Sequence, residues 1–142
     1  MQAPLLLDCY CMARQERPHQ RLDAWRISLD FVATVYELSA AFPKQDLFGL
    51  TSQIRRAATS VPLNIAEGAG RFSSAEFVRF LYIARGSAIE TETILLIAER
   101  LHYITSAHTD DSLHTLNHII GLLNGLIRKH KSQVEIKPQT KG

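Results

Sequence analysis

His114 and His118 stand four residues apart, the spacing at which two metal ligands share one helix face. They fall opposite the apolar stripe of their own helix, and no acidic or cysteine third ligand adjoins them, so the pattern favours a solvated face. Glu90 and Glu92 would diverge by roughly 200° around a helix, which rules out a paired-carboxylate acid–base centre. The run Glu67-Gly68-Ala69-Gly70-Arg71 is glycine-rich but carries no lysine or hydroxyl at phosphate-loop spacing. The serines lack the strand-turn-helix setting of a hydrolase nucleophile. Cys9 and Cys11 are too close in sequence for a good disulfide, and no second Cys/His pair completes a zinc site. The expectation is a non-enzymatic protein with no catalytic residues, no metal and no cofactor, with free thiols in the cytoplasm.

The most ordered pattern lies between Gly49 and Arg71, GLTSQIRRAATSVPLNIAEGAGR. Gln53, Arg56, Ser60, Asn64 and Glu67 recur at spacings of three and four, forming one polar helix edge. Beside it Leu47, Leu50, Ile54, Ala57 and Val61 form an apolar seam, with Asn64 at the next core-type position. Two readings of the edge stay open. In the first it is a structural network, in which Arg56 bonds Gln53 and either Glu90 or Glu92 of the following helix, Asn64 fixes register, and Ser60, Glu67 and Arg85 belong to the same set. In the second it is a partner surface, with Arg55, Arg71, Arg79 and Arg85 offering guanidinium groups to phosphate. Arg128, Lys129 and Lys131, near the end of the last helix, join Arg55, Arg71 and Arg79 as nucleic-acid-binding candidates.

These side chains need helices to position them. The chain has 142 residues, 46% hydrophobic and 21% charged, which suits one globular domain with a real core rather than a disordered chain. Residues 1–20 lack periodicity and read as a disordered tail, with Met12 offering an alternative start. Leu5-Leu6-Leu7 is too short for a signal-peptide core. No run of about 18 apolar residues occurs, so no membrane span is expected. Residues 132–142 read as a basic, disordered tail. The intervening bundle, 21–131, holds twelve Lys/Arg against eleven Asp/Glu, so any basic patch must come from arrangement.

The first helix is expected from Arg21 to Phe42, on a seam of Leu22, Trp25, Leu29, Val32 and Tyr36 widened by Val35 and Phe42, with Trp25 as a core anchor. Pro43 stops it. The second begins near Lys44–Leu47, with Asp46 at the positive end of its dipole. Pro62 must kink or break it, a kink being preferred because the register continues, and Gly68 and Gly70 end it. A capping box at Ser73 and Glu76 opens the third helix, which runs to about Ile104 on Phe77, Leu81, Ala84, Ala88, Thr91, Leu95 and Ala98. Apolar residues also lie outside that seam, at Val78, Tyr82, Ile83, Ile89, Leu96 and Ile97. A helix apolar on several sides is buried on several sides, so a homo-oligomer is expected. The fourth helix is expected from Ser112 to Lys131 on Leu113, Leu116, Ile120, Leu123 and Ile127, capped by Thr109 or Asp110. Four helices with short connections give an all-α, antiparallel up-down-up-down bundle.

The sequence as a whole resembles a known family. Leu22-x-x-Trp25, Phe42-Pro43, the Gly49–Arg71 stretch, FVRFLYIARGS, IETET and LLNGLI are together similar to a bacterial four-helix-bundle family encoded in intervening sequences of large-subunit ribosomal RNA genes. A related branch comprises accessory variability proteins of diversity-generating retroelements. The resemblance spans residues 21–131. It implies assembly as a homopentamer and, for the retroelement branch, binding to nucleic acid and to a reverse transcriptase through basic surface. The matching motif positions are Gln53, Arg55, Arg56, Asn64, Glu67, Gly68, Arg71, Arg85, Gly86, Ser87, Glu90 and Glu92, and no catalytic residue is carried over. The expected function is an oligomeric binding protein contacting RNA or DNA phosphates. The alternative is a protein-interaction scaffold whose polar stripe is purely structural.

Overall fold

A computed structural model describes residues 15–136. The cysteines, Met12, Leu5-Leu6-Leu7 and the last six residues lie outside them. The described chain is all-helical, with no strand. A single 3-10 turn over Pro18–Arg21 leads into α1 (Asp23–Ser39). A 3-10 turn at Lys44–Asp46 and a π-type turn at Leu47–Thr51 precede α2 (Ser52–Ala69), followed by α3 (Ser74–Arg100) and α4 (Ser106–Glu135).

Every residue of the expected α3 seam is buried, from Phe77 to Ala98. In α1 the buried face is rotated by about one residue from the expected seam, to Ala24, Ser28, Phe31, Val35 and Ser39. Leu29 and Tyr36 are instead exposed, and Trp25 packs at the rim of the core with its ring edge-on to His19 at 5.0 Å. The two serines make this possible. Ser28 Oγ donates to the Trp25 carbonyl at 2.8 Å and Ser39 Oγ to the Tyr36 carbonyl at 3.2 Å. With their hydroxyls satisfied within the helix, both serve as small buried residues. The same device repositions α4. Thr105, not Thr109 or Asp110, caps it, accepting from the His108 amide at 3.3 Å, and Thr109 and Ser112 turn inward. Helix α4 therefore begins six residues before the expected Ser112.

Other helix ends also have local causes. Asp46 does more than favour a dipole: its carboxylate accepts from the Leu50 amide at 3.1 Å. A Cβ on Gly49 would meet that carboxylate and displace it from the cap, so glycine there keeps the cap in place. Ser73 caps α3 through the Glu76 amide at 3.1 Å, but the Glu76 carboxylate turns to Arg79 rather than back to the cap. Helix α3 stops at Arg100 because His102 adopts φ 59°. The His102 and Tyr103 amides then close on the Glu99 and Ala98 carbonyls, each at 2.9 Å. Pro62 is buried within an α2 that runs unbroken to Ala69.

Helix α2 packs on α1 and α3, and α4 on α3 and α1, around one core of Val35, Ile54, Ile65, Leu81, Leu95, Ile119 and Leu123. Contacts between neighbours run in opposite senses. Ser60 meets Ser87 while the later Gly68 approaches the earlier Phe80, and Arg85 meets Asn124 while Ser74 meets Gln133. Adjacent helices are thus antiparallel.

Gly68 marks the tightest approach. A Cβ there would lie 2.6 Å from Phe80 Cβ and 2.8 Å from Phe77 Cδ2, whereas one on Gly86 would meet nothing within 4 Å. Gly68→Ala should destabilise the protein by about 1–3 kcal/mol through overpacking. Gly86→Ala should stabilise it by about 0.5–1 kcal/mol through helix entropy. Urea denaturation measures both, and a Gly68→Ala protein as stable as the parent would refute this account of the α2–α3 contact.

Candidate functional site

The polar edge of α2 does not form the expected bridge to α3. Gln53 and Arg56 are exposed, and Arg56 makes no ion pair or hydrogen bond among the described residues. Arg56 and Glu90 face one recess of about 370 Å³ without bonding, and Glu92 lies apart from both. The cause is the closeness of the two helices. Where they meet, short hydroxyls fill the gap: Ser60 and Ser87 share a hydrogen bond of 2.8 Å. Asn64 Nδ2 donates to the Ser60 carbonyl at 2.8 Å and to Ser60 Oγ at 2.9 Å, and Thr91 Oγ1 donates to the Ser87 carbonyl at 2.8 Å. Long side chains at the margin are left pointing outward.

The arginines divide by partner. Arg55 Nε donates to Ser39 Oγ at 2.8 Å, and its guanidinium lies 4.6 Å from the Tyr36 ring centre, tying α2 to α1. Arg71 pairs with Glu67 at 2.8 Å and Arg79 with Glu76 at 3.3 Å. Both guanidinium groups lie over Phe80, at 5.1 and 4.5 Å. Hydrogen bonding from Arg79 holds the Glu76 carboxyl below its ordinary range. Arg85 does not join a network with Glu90. It donates to Asn124 Oδ1 at 2.9 Å and lies 4.9 Å from the Tyr82 ring, which Lys131 approaches at 5.7 Å. Arg128 and Lys129 are exposed, with no ion pair among the described residues. Lys129 lines a recess beside Arg21 and Asp23, on the α1 side of α4 and away from Lys131.

Tyr82, Phe80 and Asn124 were missed as partners of these cations. The signal was present, because Tyr82 and Arg85 are spaced i, i+3, and Asn124 and Lys131 stand two turns apart on one strip. What the sequence lacked was the register of α3 against α4.

Exposed apolar side chains collect elsewhere. Tyr36, Leu47, Phe48 and Leu63 line a groove of about 790 Å³ between α1 and α2, in which Phe48 is 93% exposed. On α3, Ile83, Ile89 and Ile97 also face outward, as does Leu101 just beyond its end. Among the described residues no three His, Cys, Asp or Glu side chains gather as a metal site, and no helix is long and apolar enough to cross a membrane.

The fold and its surface define an all-helical protein of four helices whose chemistry-bearing groups are cations and aromatic rings on the exterior. Residues 20–125 match the model of the 23S rRNA-intervening sequence proteins, and the chain belongs to that family. It is similar to the crystal structure of a protein of unknown function from the S23 ribosomal protein family of Bacteroides thetaiotaomicron. The two share 31% identity and a TM-score of 0.69, over 73% of this chain and 97% of that one. No curated protein matches the chain. Neither match names a retroelement protein, so that relation rests on the sequence resemblance alone.

One titratable group is half-buried at the foot of the bundle. His130 packs edge-on against Phe77 at 4.7 Å, and its Nδ1 is buried without a partner. Burial, aided by the charge of Lys129 and opposed by a hydrogen bond that the ring donates to Gln133, lowers its pKa below 6.5. The unfolded chain therefore takes up the proton more readily than the folded one. Stability should be complete above pH 6.5 and decline as pH falls through that value towards the folded pKa. Thermal melts between neutral and mildly acidic pH check this, with His130→Phe expected to flatten the decline. An unchanged pH profile in that variant would assign the acid sensitivity elsewhere.

Proposed function

We propose that this is a non-enzymatic, oligomeric binding protein that contacts RNA or DNA phosphates through its arginine-bearing surface in the cytoplasm. One observation carries the reading: five cations lie over three aromatic rings, Arg55 on Tyr36, Arg71 and Arg79 on Phe80, and Arg85 and Lys131 on Tyr82. Cations interleaved with aromatic rings offer a polynucleotide both charge and stacking surface. Near-neutrality over the bundle does not oppose this, since a patch depends on which cations lack carboxylate partners.

Assembly is supported by uncovered apolar surface on both sides of α2. The groove holding Phe48 and Leu63 lies on its α1 side. Ile83 and Ile97 stand seven residues either side of Glu90, on the α3 strip that borders α2. Self-association would cover this surface, and the sequence resemblance supports a pentamer as its form. Repeating a weak site five times would raise affinity through avidity. The α1–α2 groove also favours a second reading, a scaffold whose partner is another protein.

Titration with structured RNA at several salt concentrations should give binding that weakens steeply as salt rises. Absence of binding at low salt would overturn the nucleic-acid reading, and a protein partner that survives nuclease treatment would favour the scaffold. Light scattering should return about five times the 16.0 kDa chain mass, whereas a monomer would refute the assembly.

A further inference from the structure

We infer that the ledge between α3 and α4, centred on Tyr82 and bordered by Arg85, Asn124, Arg128 and Lys131, is the polynucleotide-binding site and prefers single strands. The inference rests on the nucleic-acid reading above and narrows it to one of the cationic surfaces.

The cations are not equivalent. A phosphate approaching Arg71 or Arg79 must displace Glu67 or Glu76, or accept their repulsion, because each guanidinium is already neutralised. Arg55 is held by Ser39, and it and the unpaired Arg56 share their groove with the Glu67 carboxylate, which repels a phosphate. On the ledge the partners are neutral. Arg85 bonds an amide oxygen, Lys131 sits by a ring, and Arg128 has no side-chain partner among the described residues. Glu135 follows Lys131 by one turn yet forms no ion pair with it. Three positive charges thus remain available to a polyanion.

The geometry suits a strand. Asn124, Arg128 and Lys131 recur at i, i+4 and i+7, a strip about 10 Å long on α4. Arg85 holds the Asn124 oxygen, which orients the amide so that its nitrogen is free to donate. Tyr82 is 38% exposed beside these cations, a ring on which an unpaired base can stack. A duplex keeps its bases stacked on one another and could use only the charges.

The backbone bordering the ledge is bare. Gly86 follows Tyr82 by one turn and is exposed, and a Cβ on it would meet nothing within 4 Å. No neighbour within the fold needs that space. A phosphodiester chain lying along the ledge would use it.

Fluorescence anisotropy of a labelled single-stranded oligonucleotide, with the full-length protein, tests the inference. Arg85→Gln/Arg128→Gln/Lys131→Gln should weaken binding tenfold or more and reduce the slope of log affinity against log salt by about 2, three phosphate contacts at ~0.7 each. Arg71→Gln/Arg79→Gln should stay within twofold of the parent. Tyr82→Leu should weaken single-strand binding severalfold and leave duplex binding unchanged. Arg128→Glu/Lys131→Glu, confined to exposed positions, reproduces the loss without disturbing the Arg85–Asn124 bond, and a melting curve confirms folding. Parent binding that survives the ledge variants but fails in Arg71→Gln/Arg79→Gln would overturn the site and spare the nucleic-acid reading. No oligonucleotide binding by the parent at low salt would overturn both.

Discussion

The approach of α2 to α3 is the constraint on which the rest of the structure depends. Ala57, Ala58 and Gly68 on one helix and Ala84, Ser87 and Ala88 on the other leave no room for large side chains between the backbones. Close-packed interiors respond to single methylene groups, so such a contact fixes the mutual register of the two helices. Gly68 seats Phe77 and Phe80 at the base of α3. Phe80 then presents its ring to Arg71 and Arg79, and Phe77 presents its ring to His130 of α4. The same closeness lets the hydroxyls of Ser60 and Ser87 pair directly across the contact.

Electrostatics decorate this frame rather than hold it together. All four ion pairs among the described residues join side chains that are more than two-fifths exposed, and pairs of that kind contribute only about 0–1 kcal/mol. Their consequence is local. By neutralising Arg71 and Arg79 they remove those groups from the charge that a distant polyanion meets. A net count of Lys and Arg therefore says less about recognition than the identity of each cation's partner, and Arg85, bonded to an amide, keeps its full charge.

How much was legible in the sequence follows from the same physics. The α3 seam was readable because its buried residues are almost all apolar, so the helical period shows directly. The α1 face was misread by one position because Ser28 and Ser39, polar by type, are buried with their hydroxyls bonded to their own helix. Thr109 and Ser112 concealed the true start of α4 in the same way. The end of α3 rests on a histidine at positive φ where glycine would have been the usual signal. The Arg56–Glu90 bridge failed for a tertiary reason. Spacing along one helix says which residues share an edge, but not how far the next helix stands, and here it stands close enough that serines meet and arginines turn away.

Helices α2 and α4 sit diagonally, each packed against α1 and α3. Uncovered apolar groups, Phe48 and Leu63 among them, flank α2, and Arg85, Arg128 and Lys131, none with a carboxylate partner among the described residues, flank α4. Subunit contact through the α2 side would bury Phe48 and Leu63 while leaving the Tyr82 ledge open to solvent. In the proposed assembly, apolar burial and phosphate recognition would draw on different sides of one bundle, so neither would have to be weakened to accommodate the other. The polar edge that first stands out in the sequence belongs to the first of these sides. Arg56 and Gln53 line its recess without bonding across to α3, and Asn64, bonded to Ser60, holds the margin of that surface in place.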